Sequence, residues 1–148
     1  MTNENIYYFL DTDAATKIKR ELIESAFFRN YCALTEENIY ELRDNCNFDL
    51  FSQCKVGIDS EAISALPDVW SKIDDSDKVF NLYHNEGNGD IIMVATLLSQ
   101  KNQSKKTLFG NTTFMLVTDD KGLTNFAKKF SFDAITSDAF IKILEANK

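Results

Sequence analysis

Four aspartates along the chain combine the residue type and the surroundings that metal-dependent chemistry needs. Asp11 directly follows the apolar run at 6–10. Asp119 directly follows the segment FMLVT at 114–118, and Asp120 is the next residue. Asp90 opens the most apolar segment of the chain, after a break at 87–89 that contains two glycines. Carboxylates that share one pocket repel each other unless a cation neutralises them. Acids in these positions therefore indicate a site for a divalent metal ion.

A further carboxylate is expected on the helix that Thr35 can cap. Glu37 and Glu41 lie one turn apart on the same face of that helix, and the sequence leaves open which of them faces the site. It also leaves open whether Asp119 or Asp120 is the main acid after the second apolar run. Each acid has a purely structural explanation as well, because aspartates and glutamates commonly cap helices, occupy first helical turns and form turns.

The spacing of apolar residues predicts the elements that must hold these acids. Continuous apolar runs at 6–10 and 114–118 are typical of strands covered on both faces, and a shorter strand is expected at 132–136. Helical spacing begins at Thr12 and carries apolar residues at 15, 18, 22, 23 and 26 on one face. Further helices are expected from Thr35 through Arg43, from Asp59, from Asp74–Asp77, from Asp90, from Asp120 to about Lys129, and from Ser137 or Asp138 onward.

Strands that alternate with helices predict an α/β fold with a mainly parallel central sheet. The chain of 148 residues suits a single domain spanning residues 1–148, with 12 Phe and 5 Tyr available for its core. In open α/β sheets, ligands bind beyond the carboxyl ends of the strands. Asp11 and Asp120 are therefore expected at the same edge of the sheet.

The formal net charge of −7 is opposite in sign to that of a typical nucleic-acid binder. It does not exclude a nuclease, because carboxylates that bind divalent cations add negative charge until the cations arrive.

Cys32, Cys46 and Cys54 form no CxxC pair and His84 is the sole histidine, so a structural zinc site is not expected. No signal peptide or membrane segment is predicted, which favours a cytoplasmic protein that does not enter a membrane.

The order and context of the acids resemble the PIN-domain nucleases, a family that includes bacterial VapC-type toxins. Four segments carry the resemblance: YYFLDTDA at 7–14, LTEENIYEL at 34–42, GNGDIIMVATLL at 87–98 and FMLVTDDKGL at 114–123. The segment SFDAITSDAFIKIL at 131–144 is similar to the final strand and helix of the family. The resemblance implies a single PIN-like domain folded as a three-layer α/β/α sandwich with a mainly parallel sheet.

The resemblance also implies roles for individual residues. The catalytic acids would be Asp11, Glu41, Asp90 and Asp120. The metal ligands would be Asp11, Asp90, Asp119 and Asp120. Substrate contacts are expected from Thr12, Thr118 and Lys121, with the Lys17, Lys19 and Arg20 group near the mouth of the site. The implied cofactor is Mg²⁺ or Mn²⁺, with one ion activating water and a second stabilising the leaving oxygen.

The resemblance implies that the protein is a divalent-metal-dependent endoribonuclease. If it is a toxin like the VapC proteins, the resemblance also implies an antitoxin partner and a homodimer.

Two alternative functions remain open. One is a catalytically degenerate PIN-like module that serves protein interaction. The other is a phosphatase similar to the haloacid dehalogenases, because Asp11-Thr12-Asp13 matches their DxD motif with Asp11 as nucleophile. Ala15 stands where that family usually has a threonine, which counts against the phosphatase.

Overall fold

A central sheet of five strands organises the computed structural model, which describes residues 5–74, 88–106 and 112–148. The strands are β1 (Asn5–Leu10), β2 (Cys32–Thr35), β3 (Lys55–Val56), β4 (Thr112–Val117) and β5 (Asp133–Ile135). Their order across the sheet is β3-β2-β1-β4-β5, and every pairing between them is parallel. The predicted α/β class with a mainly parallel sheet is therefore confirmed.

Helices connect the strands throughout the described ranges. They are α1 (Thr12–Thr16), α2 (Arg20–Ile23), α3 (Ala26–Tyr31), α4 (Glu36–Glu41), α5 (Phe48–Ser52), α6 (Ser60–Ser71), α7 (Asn88–Lys105), α8 (Lys121–Lys128) and α9 (Ser137–Ala146). None of the helices within these ranges is both long and apolar enough to span a lipid bilayer.

Two hydrophobic cores lie on opposite faces of the sheet, because successive side chains of a strand point to opposite sides. Tyr8 and Leu10 of β1 belong to one core, together with buried residues of α1, α2, α3 and α9. Phe9 between them belongs to the other core, which is built mainly from α7, α8 and β4. Both faces of the sheet are thus covered by helices, an arrangement compatible with a three-layer α/β/α sandwich.

The chain changes direction across the sheet next to β1. From β1 it winds outward through β2 to β3, whereas β4 and β5 lie on the other side of β1. The carboxyl ends of β1 and β4 therefore flank a topological switch point, which is where open α/β sheets form their ligand crevices. Asp11 follows β1 and Asp119 follows β4 at this edge.

The prediction of one continuous helix from Thr12 was wrong, because the structure has three short helices there, α1, α2 and α3. Lys19 and Ser25 adopt extended backbone conformations and act as N-caps of α2 and α3. The Ser25 hydroxyl oxygen accepts a hydrogen bond from the Phe28 amide at 3.2 Å, which favours a new helix start over continuation. The apolar residues of this segment nevertheless face one side, because all three helices bury residues in the same core.

Other differences from the sequence expectations are smaller. No apolar pattern indicated α5 or β3, and α7 begins at Asn88 rather than at Asp90. The helix expected from Asp74–Asp77 falls within residues 75–87, outside the described residues.

Candidate metal centre

A small polar cleft of about 120 Å³ opens at the carboxyl ends of β1 and β4. It is lined by Asp11, Thr12, Asp13, Asn38, Glu41, Gly89, Asp90 and Asp120. Five of these side chains are acidic, and the described lining includes no lysine, arginine or histidine. The four acids predicted to be catalytic thus lie around one cavity, although they come from four separate parts of the chain.

Asp11 is held in a fixed orientation at the base of the cleft. Its side chain is buried, with 8% exposed, and its Oδ1 accepts a hydrogen bond from the Ala14 amide at 2.8 Å. Its Oδ2 accepts a second hydrogen bond from the Thr118 hydroxyl. Burial raises the pKa of Asp11 above its ordinary value, against the opposing effect of these two hydrogen bonds. Asp11 is therefore both the N-cap of α1 and a wall of the cleft.

Thr118, which was expected to contact substrate, is buried and forms hydrogen bonds with two of the acids. Only 2% of its surface is exposed, and it does not line the cleft. While its hydroxyl donates to Asp11, the hydroxyl oxygen also accepts a hydrogen bond from the Asp120 amide at 3.1 Å. A single buried hydroxyl thereby connects the two aspartates that follow β1 and β4.

Replacing Thr118 by valine is expected to lower the affinity of the cleft for Mn²⁺ by about 10–100-fold, the usual effect of losing a group that orients metal ligands. The same variant should lose about 1–3 kcal/mol of unfolding free energy, because the buried Asp11 loses a donor. Thr118→Ser keeps the hydroxyl and should retain both properties. Thermal shift during Mn²⁺ titration and urea denaturation measure the two effects. Wild-type Mn²⁺ affinity in Thr118→Val would show that the hydroxyl does not position Asp11.

Asp120 and Asp90 present carboxylate oxygens to the cleft from two helix starts. Asp120 caps α8 through Oδ1, which accepts hydrogen bonds from the Gly122 and Leu123 amides at 2.7 and 3.1 Å. Asp90 lies half-buried in the first turn of α7, and within the described chain no donor reaches its carboxylate. Burial, followed by the charges of Asp11, Asp120 and Glu41, raises the pKa of Asp90 to about 7. The cleft therefore carries more negative charge than its own groups neutralise.

Glu41 closes the cleft from the end of α4. Its Oε2 accepts a hydrogen bond from the Thr12 hydroxyl at 2.5 Å. The start of α7 packs close beside it: a Cβ atom added at Gly89 would lie 3.2 Å from Glu41 Oε1. Glycine at this position allows the close approach. Glu41 lines the cleft whereas Glu37 does not, so the geometry favours Glu41 as the helix acid. Thr12 lies in the lining, where substrate contact was expected.

Asn38 lines the cleft and was not anticipated from the sequence. It is buried, and its Nδ2 donates to the carbonyl oxygen of Leu10 at 3.0 Å. Its Oδ1 accepts from the Thr35 hydroxyl at 2.8 Å, so it joins the start of α4 to the end of β1. The spacing Thr35-x-x-Asn38 resembles a capping box with asparagine at its last position, and this was the available signal.

Asp119 lies beside the cleft but does not line it, in contrast to its expected role as a metal ligand. Its oxygens accept hydrogen bonds from Lys17 Nζ at 2.5 Å, from the Ser137 amide at 2.8 Å and from the Ser137 hydroxyl at 2.6 Å. These contacts, Lys17 first, lower the pKa of Asp119 to about 2. Asp119 thus ties α9 and the end of α1 to β4, and Asp120 is the acid that faces the cleft.

The Asp119→Asn variant is expected to lower the melting temperature at neutral pH while keeping any stabilisation by Mn²⁺. Because the pKa of Asp119 is lowered by folding, the stability it contributes is present above about pH 4 and is lost as the pH falls toward 2. The difference from wild type should therefore be smaller at about pH 3 than at pH 7. Urea denaturation at both pH values measures it. Loss of the Mn²⁺ response would instead identify Asp119 as a ligand.

The basic side chains expected near the mouth are largely engaged by acids. Lys17 pairs with Asp119 at 2.5 Å, and Arg20 pairs with Glu24 at 3.0 Å and with Asp49 at 3.3 Å. Lys19 is exposed as the N-cap of α2. Lys121, the first residue of α8, is exposed but is not part of the cleft lining. A phosphate contact from Lys17 or Arg20 would require an existing ion pair to open.

In the part of the chain that the structure describes, no three His, Cys, Asp or Glu side chains converge closely enough to hold a metal ion as they stand. The carboxylates surround the cleft instead of meeting at one point.

No known family model matches the chain, and no curated protein sequence matches it significantly. The function is therefore inferred from the cleft together with the motif resemblance.

Proposed function

We propose that the protein is a divalent-metal-dependent endoribonuclease with a PIN-like three-layer architecture, acting at the acidic cleft. The observation that carries this proposal is the lining of one small cavity by five carboxylates and no basic side chain among its described residues. Such an excess of negative charge at the switch point of an open α/β sheet is unfavourable unless a cation neutralises it.

The chemistry of the donors fits Mg²⁺ or Mn²⁺. The groups available are carboxylates, one amide and one hydroxyl, and oxygen ligands of this kind suit hard divalent cations. Asp11, Asp90 and Asp120 would hold the cation, with Glu41 completing the ring of acids. When bound, such a cation supplies Lewis acidity toward a phosphodiester and acidifies a water molecule.

The protein's own contribution is to hold the carboxylates in place. The Thr118 hydroxyl and the Ala14 amide fix both oxygens of Asp11. The Gly122 and Leu123 amides hold one oxygen of Asp120, and Asp120 lines the cleft. Acceptors that are oriented before binding lose less entropy when a ligand arrives, so this arrangement favours metal binding.

The phosphatase alternative receives less support from the same contacts. It requires Asp11 to act as a covalent nucleophile, yet both of its oxygens accept hydrogen bonds and its side chain is 8% exposed. The described cleft lining also lacks the lysine that such a phosphatase uses. Trapping an aspartyl-phosphate with a fluoride analogue would separate the two reactions, since the nuclease should form no covalent adduct.

A second candidate is a PIN-like protein-interaction module without cleavage activity. It is favoured by the separation of the carboxylates, no three of which converge as a ready metal site within the described residues. The net charge of −7 also disfavours simple electrostatic capture of RNA. Metal binding without cleavage would distinguish this candidate from the enzyme.

The toxin-like form of the proposal adds a cytoplasmic location, an antitoxin partner and a homodimer. These additions depend on the motif resemblance alone. Co-purification of the protein with the product of a neighbouring gene would test the antitoxin partner directly.

The experiment that tests the enzyme is cleavage of a mixed RNA pool with and without Mn²⁺, by wild type and by Asp90→Asn. Wild type should cleave only with the metal, and the variant should be at least about 1,000-fold slower, because a charged group in the site has been removed. Equal cleavage by both proteins would assign the activity to a contaminant and reject the proposal.

A further inference from the structure

A second cavity, of about 530 Å³, opens at the amino-terminal edge of the sheet. Its lining includes the first residues of β2, β3 and β4, which are Cys32, Lys55 and Thr112. The acidic cleft lies at the carboxyl ends of the strands, and the described linings of the two cavities share no residue. Cavities of about 300–1,000 Å³ have the size that encloses small-molecule ligands. We call this cavity the amino-edge pocket.

Aromatic rings contribute much of the apolar lining of the amino-edge pocket. The ring of Phe114 on β4 contacts those of Tyr7 and Phe9 on β1, with centroid separations of 6.2 and 6.1 Å. Tyr7 is only half-buried, and Gln100 and Gln103 of α7 line the same cavity. A flat apolar ligand would gain binding free energy by covering these rings, because apolar surface would leave water.

The charge of the amino-edge pocket is opposite in sign to that of the whole chain. Arg29 and Lys55 line it, and its described lining includes no aspartate or glutamate, although the net charge of the chain is −7. No carboxylate of the described residues pairs with Arg29. Lys55 lies 3.9 Å from Glu36, an exposed pair of a kind that contributes little. Both cations are therefore available to an anionic group of a ligand.

The positive charge of Arg29 also reaches the interior of the pocket. Cys54 is a buried free thiol in the lining, and burial raises its pKa while the charge of Arg29 opposes that rise. A guanidinium binds carboxylate and phosphate groups through two parallel hydrogen bonds. Since Arg29 and the aromatic rings line one cavity, a single ligand can contact both.

We propose that the amino-edge pocket binds a small molecule that carries an acid group on a flat apolar ring. The acid group, a carboxylate or a phosphate, pairs with Arg29, and the ring covers Tyr7, Phe9 and Phe114. Such a ligand would bind whether or not the acidic cleft cleaves RNA, because the two cavities lie at opposite edges of the sheet.

The test uses three probes with one ring system: 1-naphthoate, 1-naphthyl phosphate and the neutral 1-naphthalenemethanol. Isothermal titration calorimetry in the presence of EDTA measures their Kd values for wild type, Arg29→Gln and Arg43→Gln. Arg43 provides the matched control, because it is an exposed arginine outside the pocket lining. Thr112→Trp is added to fill the pocket, since Thr112 lies on the same face of β4 as Phe114. Thermal melts show whether each variant is folded.

Wild type should bind one molecule of an acid probe, about tenfold more tightly than the alcohol. Arg29→Gln is expected to weaken binding of the acid about tenfold, because charge-assisted hydrogen bonds are lost, and to change binding of the alcohol less than about twofold. Arg43→Gln should match wild type, and Thr112→Trp should bind none of the probes. The acid probe that binds more tightly indicates whether the natural ligand carries a carboxylate or a phosphate.

Three results for the exposed arginine and the wild type would overturn the proposal: no binding of either acid, equal affinity for the acids and the alcohol, or unchanged acid binding in Arg29→Gln. Binding that persists in folded Thr112→Trp would place the probes outside the pocket and overturn it as well. If Thr112→Trp does not fold, the comparison of Arg29→Gln with Arg43→Gln still decides, because both side chains are exposed.

Discussion

Replacing Asp90 by asparagine is expected to stabilise the metal-free protein at about pH 8, although the same variant should slow the proposed RNA cleavage. Asp90 is half-buried among other acids, and its pKa is raised from 3.8 to about 7. Each unit of pKa shift corresponds to about 1.4 kcal/mol, so ionised Asp90 costs at most about 4 kcal/mol of unfolding free energy. Asparagine keeps the shape and removes the charge. The melting temperature should rise by about 5–10 °C.

The pH dependence of this effect follows from proton binding. Between about pH 4 and pH 7 the folded state binds a proton at Asp90 that the unfolded state has lost. The unfolding free energy of wild type therefore falls as the pH rises through this window, whereas that of Asp90→Asn lacks this contribution. The two proteins should be similar near pH 4 and differ most above pH 7.

Urea denaturation in the presence of EDTA at about pH 4, 6 and 8 measures this difference. Asp68→Asn is the control, because Asp68 is an exposed acid on α6 away from the cleft. It should shift little at any of the three pH values. Equal stability of wild type and Asp90→Asn at pH 8 would mean that the cleft holds no unbalanced negative charge.

Binding of Mn²⁺ is expected to raise the melting temperature of wild type in proportion to the logarithm of its concentration. A ligand that binds only the folded state adds about 2.7 kcal/mol at 100 times its Kd, or about 5–10 °C for a domain of this size. Asp11→Asn should lose this response, because it removes the charge at the base of the cleft. Asp68→Asn should keep it.

The Mn²⁺ response should also grow between about pH 6 and pH 8. Protons compete with the cation for Asp90, whose pKa is about 7, and this competition disappears as the group ionises. A response in wild type without RNA cleavage would support the interaction module over the enzyme. No response in wild type, or an equal response in Asp11→Asn, would reject the cleft as a metal site.

The strands that carry the site were predictable from local sequence. Buried parallel strands need apolar residues on both faces, so the apolar residues at 6–10 and 114–117 indicate β1 and β4, and aspartates follow at 11 and 119. The parallel sheet then places both strand ends at one edge. The proximity of Asp11 and Asp120 could therefore be predicted from the strand pattern. The place of Asp90 beside them was implied only by the resemblance of the segment at 87–98 to the PIN-domain nucleases.

The remaining features depend on contacts that a linear pattern does not contain. β3 has two residues, Lys55 and Val56, which is too short to show a period. Asp119 and Asp120 look equivalent in sequence, and their roles separate only because Ser137 and Lys17 reach Asp119 from 18 and 102 positions away. The burial of Thr118 against Asp11 likewise joins residues 107 positions apart.

The central place of β1 has a consequence for biosynthesis. β1 pairs with β2 on one side and along its whole length with β4 on the other, although β4 begins at Thr112. A nascent chain that has emerged only as far as β2 leaves one edge of β1 open and Asp11 without its threonine donor. Pairing across such a separation forms slowly, because a long loop must close first. An unfinished chain would therefore lack the assembled cleft, and would need protection from aggregation until its second half arrives.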